Sequence, residues 1–288
     1  SLCEPSATVA AMAAVAVAGV ASAQVTLSGT FNLDADNKAT DSKATVAAGD
    51  VILSASAAED LGGGMSVNVN TTLQTANGRG GKATNNGYSM AVSGGFGTLT
   101  YKNYLAGAAG LSAGISAEND MADVAGGYTA RSRFEYAFPQ MVEGLTASVR
   151  WDSSNGADAQ GQVDSTAFKT TKYAVGYSAG PVSVSTTGSN KAGAKNDFTV
   201  KFDAGIAAVS AYNATGVTEF VVTAPAGALN VGFHMITGDN KANGFTASYA
   251  LSKRTSLRYS YVNQSTVSAT NASGVAGTNY RIRLGHSF

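Results

Sequence analysis

The chain has 288 residues, of which 44% are hydrophobic and 13% charged, with 19 Lys and Arg against 19 Asp and Glu, 34 Gly and a single Cys. So little cysteine excludes a disulfide scaffold and so little charge excludes a disordered chain; zero net charge argues against nucleic-acid binding, which needs excess basic residues to displace phosphate counterions. Mean hydropathy is +0.01, yet after residue 23 no apolar run reaches the ~20 residues of a membrane-spanning helix, so the apolar residues are distributed rather than clustered.

Residues 7–21 form one short apolar run, ATVAAMAAVAVAGVA, and Ala21-Ser22-Ala23 before Gln24 has the small-x-small form of a signal-peptidase site. Residues 1–23 are therefore expected to be an export signal peptide, with a truncated start because it opens SLCEPS where Met and basic residues are usual. Residues 24–288 are then one mature domain. The only cysteine, Cys3, falls in the signal, so the mature chain avoids wrong disulfides in an oxidising periplasm.

From residue 24 onward the chain alternates with period two, as half-buried strands do. In 24–34, Val25, Leu27, Phe31 and Leu33 share one face, and Thr26, Ser28, Thr30, Asn32 and Asp34 the other. Segments follow at 51–59, 64–74, 87–94 and 96–104. Between 64–74 and 87–94, Gly78, Gly80 and Gly81 of NGRGG mark an external loop and not a phosphate loop, since no Gly-Lys-Ser/Thr follows. A connection over 105–129, too long for a hairpin turn, precedes 130–138, where Arg131, Arg133 and Glu135 oppose Phe134, Tyr136 and Phe138. In 144–152, Leu145, Ala147, Val149 and Trp151 oppose Thr146, Ser148, Arg150 and Asp152. The pattern continues through 170–179, 181–188, 196–204, 206–213, 217–224, 227–237, 243–252 and 254–264. It ends in 278–288, with Tyr280, Ile282, Leu284, His286 and Phe288 against Arg281, Arg283 and Ser287. Sixteen such segments, an even number, return both termini to the periplasmic side of an up-and-down antiparallel barrel.

Alternation also describes a soluble β-sandwich, but a sandwich fills its apolar face with large interlocking side chains. Here that face mixes Ala, Val, Leu, Gly and Tyr, with aromatics towards segment ends (Trp151, Tyr173, Tyr177, Tyr259, Tyr261, Tyr280), as at a bilayer's interfacial girdles. In lipid every backbone N–H and C=O needs a protein partner, and only a closed barrel supplies one for each strand. The expected fold is all-β, a transmembrane barrel of 16 strands.

Particular stretches carry a resemblance. QVTLSGTFNLD (24–34), AEDLGGGMSVNVNTTLQT (58–75), SGGFGTLTYKN (93–103), RSRFEYAFPQMVEGLTASVRW (131–151), YALSKRTSLRYSYV (249–262) and YRIRLGHSF (280–288) stand in the order found in the general diffusion porins of Gram-negative outer membranes, β-proteobacterial type. The chain resembles that family over nearly all of 24–288, with Ser28 where Tyr is usual, Phe138 where Ser is and Met141 where Phe is. The resemblance implies a homotrimer of water-filled barrels in the outer membrane, surrounded by lipid and lipopolysaccharide. It implies that the third external loop, 105–129 with Glu118, Asp120 and Asp123, folds into the pore. It further implies that the terminal aromatic, Phe288, is the assembly signal read by the barrel-assembly machinery. Because the chain is shorter than usual for the family, trimmed external loops are expected.

A porin does no covalent chemistry; it sieves and biases by the charges lining its pore. Alternation assigns to the pore-lining row the basic residues Lys102, Arg131, Arg133, Arg150, Lys172, Lys201, Arg258, Arg281 and Arg283, against Asp34, Glu135, Asp152, Asp203 and Glu219. The wall is thus net positive, and acidic loop residues facing it would create a transverse field. Lys102, Arg131, Arg133 and Arg150, on strands flanking the long loop or on the next one, are the leading basic residues. The expected function is passive diffusion of ions and small hydrophilic solutes with a modest anion preference. A substrate-selective channel would carry an aromatic ladder in the polar row, which is not found, and an adhesin or structural anchor would carry long loops. No enzymatic constellation stands out, and His234 and His286, the only histidines, have no ligand pattern around them. No cofactor, metal or nucleic-acid partner is expected.

Overall fold

The computed structural model describes residues 24–75, 83–107, 128–152, 170–239, 241–266 and 276–288. They form sixteen antiparallel strands in chain order: β1 (Gln24–Asn37), β2 (Thr45–Gly62), β3 (Met65–Thr75), β4 (Ala83–Gly94), β5 (Gly97–Gly107), β6 (Tyr128–Ala137), β7 (Leu145–Asp152) and β8 (Lys172–Ala179). The second half comprises β9 (Val182–Ser189), β10 (Asp197–Asp203), β11 (Ala208–Ala214), β12 (Val217–Ala226), β13 (Leu229–Gly238), β14 (Lys241–Ala250), β15 (Thr255–Thr266) and β16 (Gly277–Ser287). Each strand pairs with its neighbours in sequence, and β16 returns to β1, so the sheet closes on itself without an edge.

Every expected segment is a strand; several boundaries shift by a few residues, β4 for instance starting at Ala83 and not 87, and two shifts have a physical reason that the register shows. β2 starts at Thr45, not 51, because β1 runs on to Asn37 and pairs Leu33 to Asp36 with Ala48 to Thr45. A β-bulge lies between the Phe31–Val51 and Leu33–Ala48 pairs, and its extra residue breaks the alternation on which the sequence reading depends. The long connection is 108–127, not 105–129, since Leu105 to Gly107 pair with Ala130 to Tyr128. A second long connection, 153–171, joins β7 to β8.

Connections at one end are 63–64, 95–96, 138–144, 180–181, 204–207, 227–228 and 251–254; the other end carries 38–44, 76–82, 108–127, 153–171, 190–196, 215–216, 239–240 and 267–276. Both Gln24 and Phe288 lie at the first end. In barrels of this kind the short turns are periplasmic and the longer loops extracellular.

The outer row is apolar and exposed: Leu27 is 57% accessible, Phe31 47%, Phe198 53%, Val200 49% and Phe202 47%. Among the described residues the buried hydrophobic side chains are only Val221, Ile236, Ala242 and Val262, whereas the buried polar set includes Asp34, Glu219, Gln264, Asn279, Arg281 and Arg283. That inversion rules out a sandwich core, because the hydrophobic surface faces outward and the charges inward. Outer-row aromatics pack in pairs, Tyr88 with Tyr101 at 6.0 Å, Tyr101 with Phe134 at 6.2 Å, and Tyr136 edge-on to Phe138 at 4.9 Å.

Closure is completed at the chain's end. The Gly29 and Phe288 amides each donate to the other's carbonyl at 3.0 Å. The Phe288 ring covers Gly29 so closely that a Cβ at residue 29 would collide with it. Strand pairing and ring seating therefore occur together.

Candidate functional site

The inner row gathers charge in three places. The first spans β5 to β8, where register sets Lys102 opposite Arg133, Arg133 opposite Asp152, Glu135 opposite Arg150, and Arg150 opposite Lys172. Cross-strand partners share a face, so all six side chains meet. Asp152, with its side chain 5% exposed, receives Arg133 Nε and Lys172 Nζ, each at 2.7 Å, and has Arg150 Nε at 3.8 Å. Glu135 has Arg133 at 3.6 Å and Lys102 at 4.0 Å. Two carboxylates thus lie among four cations. Asp152 is buried while Lys102, Arg150 and Lys172 are 26–35% exposed, so the surface presented to the interior is positive.

The second cluster lies at the β1–β16 seam. Asp34 stands opposite Arg283 and Asp36 opposite Arg281. Arg283 makes a bidentate contact with Asp34 at 2.7 and 2.8 Å, and Arg281 one with Asp36 at 2.7 and 2.9 Å. Arg281 also reaches Asp34 at 3.6 Å. Paired forks of this kind are the strongest charge-assisted hydrogen bonds. Gly49 at the bulge fits against them because any Cβ there would strike the Asp34 carboxylate.

The third cluster is on β10 to β13. Glu219, 0% exposed, is in contact with the His234 imidazole. Tyr212 stands opposite Glu219 by register, and its hydroxyl hydrogen-bonds Asp197. Val221 and Ile236 flank the pair. Asp197 also accepts a hydrogen bond from Thr187 at 3.2 Å.

The remaining expected residues are dispersed. Lys201 lies near the short-turn end, 3.7 Å from Asp203, and Arg258 stands opposite Arg283 on the inner row. The backbone of Arg131 pairs with Tyr104, but its side chain lies outside the described residues, as do Glu118, Asp120 and Asp123. Sequence reasoning passed over Asp36 and Asp197, which lie in the polar rows of β1 and β10. Continuing the alternation of β1 two residues beyond Asp34 would have found Asp36. His234 was set aside for lacking a ligand pattern, and nothing local in the sequence pairs it with Glu219.

A closed barrel with an apolar outer row, a charged inner row and short turns at the terminal end is a transmembrane channel of the outer membrane. The chain belongs to the Gram-negative porin family, whose family model matches residues 7–286. Among solved structures it is similar to a mutant of the Rh. blastica porin at 12% identity and a TM-score of 0.64, covering 92% of this chain and 100% of that one. It is similar to the anion-selective porin from Comamonas acidovorans at 18% identity and a TM-score of 0.61, covering 93% and 100%. A third likeness is a loop-deletion form of OmpT, an outer-membrane protein of Vibrio cholerae, at 12% identity and 0.62, covering 92% and 99%. No curated protein matches the chain in sequence.

Proposed function

We propose that this outer-membrane porin passes small hydrophilic solutes by diffusion with a modest preference for anions, set by Lys102, Arg133, Arg150 and Lys172. The observation that carries this reading is the β5–β8 cluster, in which four cations surround two carboxylates on one wall. Arg281 and Arg283 contribute little to the bias, because Asp36 and Asp34 pair with them. Fixed charge on a pore wall enriches the counterion and repels the co-ion. The likeness to an anion-selective porin is in keeping with this sign. In the same reading Arg131 adds to the basic side, the connection 108–127 folds inward with Glu118, Asp120 and Asp123 facing that wall, and three copies assemble as a trimer. Residues 1–23 direct export, and Phe288 is recognised during assembly.

The test is a reversal potential across a planar bilayer under a potassium chloride gradient. A potential on the anion side is expected, and the double substitution Arg133→Glu, Arg150→Glu is expected to move it to the cation side. Clear cation preference of the unmodified protein would refute the assignment.

A further inference from the structure

We propose that one row of the inner wall is a track for phosphorylated sugars: Arg133 and Lys102 hold the phosphate, and Ser89, Asn70, Ser56 and Thr26 bond the sugar hydroxyls in turn. The inference rests on the β5–β8 reading and names the class of anion that the channel favours. Register makes the row continuous, with Thr26 opposite Ser56, Ser56 opposite Asn70, Asn70 opposite Ser89, Ser89 opposite Lys102 and Lys102 opposite Arg133. Cross-strand partners share a face, so four neutral hydrogen-bonding groups lead directly to two cations.

The row is also inclined. Thr26 is the third residue of β1, at the short-turn end, whereas Asp152, the cross-strand partner of Arg133, is the last residue of β7, at the long-loop end. Strands about 4.8 Å apart and tilted by about 35–45° lift such a row by about 3 Å per strand. From Arg133 to Thr26 it therefore descends on the order of 15 Å, from the basic cluster towards the periplasmic mouth.

A solute in the lumen can reach it. Thr26 and Asn70 are exposed, Ser56 and Ser89 half-buried, and the Lys102 side chain is 35% exposed. Asn70 donates its amide N–H groups to Asn68 at 2.6 Å and to Ser89 at 3.4 Å, which leaves its amide oxygen as an acceptor for a solute hydroxyl. Lys102 and Asn70 stand two strands apart, about 10 Å, a span that a hexose ring with its phosphate bridges. Other described parts of the inner wall do not offer this combination. On the far arc Ser260, Gln264 and Asn279 are 0–1% exposed. On the other flank of the basic cluster, Ala174 of β8 has no hydrogen-bonding side chain, and its row continues through Thr187 to the acidic Asp197, which disfavours an anion. A simple anion gains from the cations alone. A sugar phosphate held by its phosphate meets the neutral groups at high effective concentration, so their individually modest bonds add to the first contact.

The experiment measures, in a planar bilayer in potassium chloride, the concentration of an added phosphate ester that halves the channel current. Glucose 1-phosphate and cyclohexyl phosphate carry the same group on a six-membered ring, one with hydroxyls and one without. Glucose 1-phosphate is expected to block at a concentration about two- to tenfold lower, the effect of one net hydrogen bond. Asn70→Leu combined with Ser89→Ala should bring the two values together, Ser185→Ala on β9 should leave them apart, and Lys102→Gln should weaken both. Equal values in the unmodified channel, or a difference that survives Asn70→Leu with Ser89→Ala, overturn the proposal. Should that double variant not assemble, Asn70→Ala alone decides by the same comparison: a narrowed difference supports the track and an undiminished one overturns it. Cation preference of the unmodified channel would remove the β5–β8 reading beneath the proposal, whereas anion preference with equal block by both esters removes the track alone.

Discussion

Removing one partner of a buried ion pair is costly chiefly because the other charge is left without compensation. Asp34 is 6% exposed and Arg283 9%, so Arg283→Ala should cost towards the lower end of about 3–5 kcal/mol, Arg281 at 3.6 Å still facing Asp34. Urea unfolding in detergent, followed by tryptophan fluorescence and by gel mobility, would measure it. The double variant Asp34→Asn, Arg283→Met should lose less than its two singles combined, and strict additivity would show that the pair is not coupled. None of this pairing is legible locally, since the partners are 249 positions apart. Sequence gives the face of Arg281 and Arg283 but not their occupation, and face alone makes them resemble Arg150, whose charge is shared differently.

Strands are where the sequence is most readable. Alternation arises from the pleat, and a lipid-facing row must be apolar at every second residue, so each strand carries its own signature. The signature fails at Gly49–Asp50, where the bulge shifts the phase, and at the β5 and β6 ends, where small residues such as Ala106 and Gly107 mimic a loop. At the closing strand, Gly29→Val should displace the Phe288 ring and also press on the Ile52 carbonyl of β2, while the β1–β16 ladder from Thr30 to Asn37 stays in place. A lower temperature for loss of the folded gel band is expected. Deleting Phe288 should reduce the amount of protein in the outer membrane while leaving the single-channel conductance of inserted protein unchanged; altered conductance would instead make the ring part of the pore's architecture.

At the scale of the molecule, orientation follows from connection lengths, and it can be checked on intact cells. An epitope inserted in 190–196 should bind antibody from outside, and one in 251–254 should bind only after the outer membrane is permeabilised. Labelling of the second from outside would invert the barrel. The charge arrangement also belongs to this scale. A neutral chain holds a positive wall on β5–β8, a self-paired seam, and an acidic group on β10–β13 that carries one imidazole. Neutrality in the composition is therefore compatible with a polarised interior. The acidic loop expected to oppose the basic wall lies outside the described residues, so the acidic side now rests on Asp197 and Glu219, which the sequence spread over two distant segments.

The unequal connections have a consequence for what the cell shows its surroundings. Connections 215–216 and 239–240 contain only two residues each, so from β11 to β14 the barrel ends almost flush with its last hydrogen-bonded pairs. An antibody or a phage approaching from that side meets backbone turns with little side-chain identity. Recognition, and the sequence drift that escapes it, would concentrate on the opposite arc, where the much longer connection 153–171 joins β7 to β8.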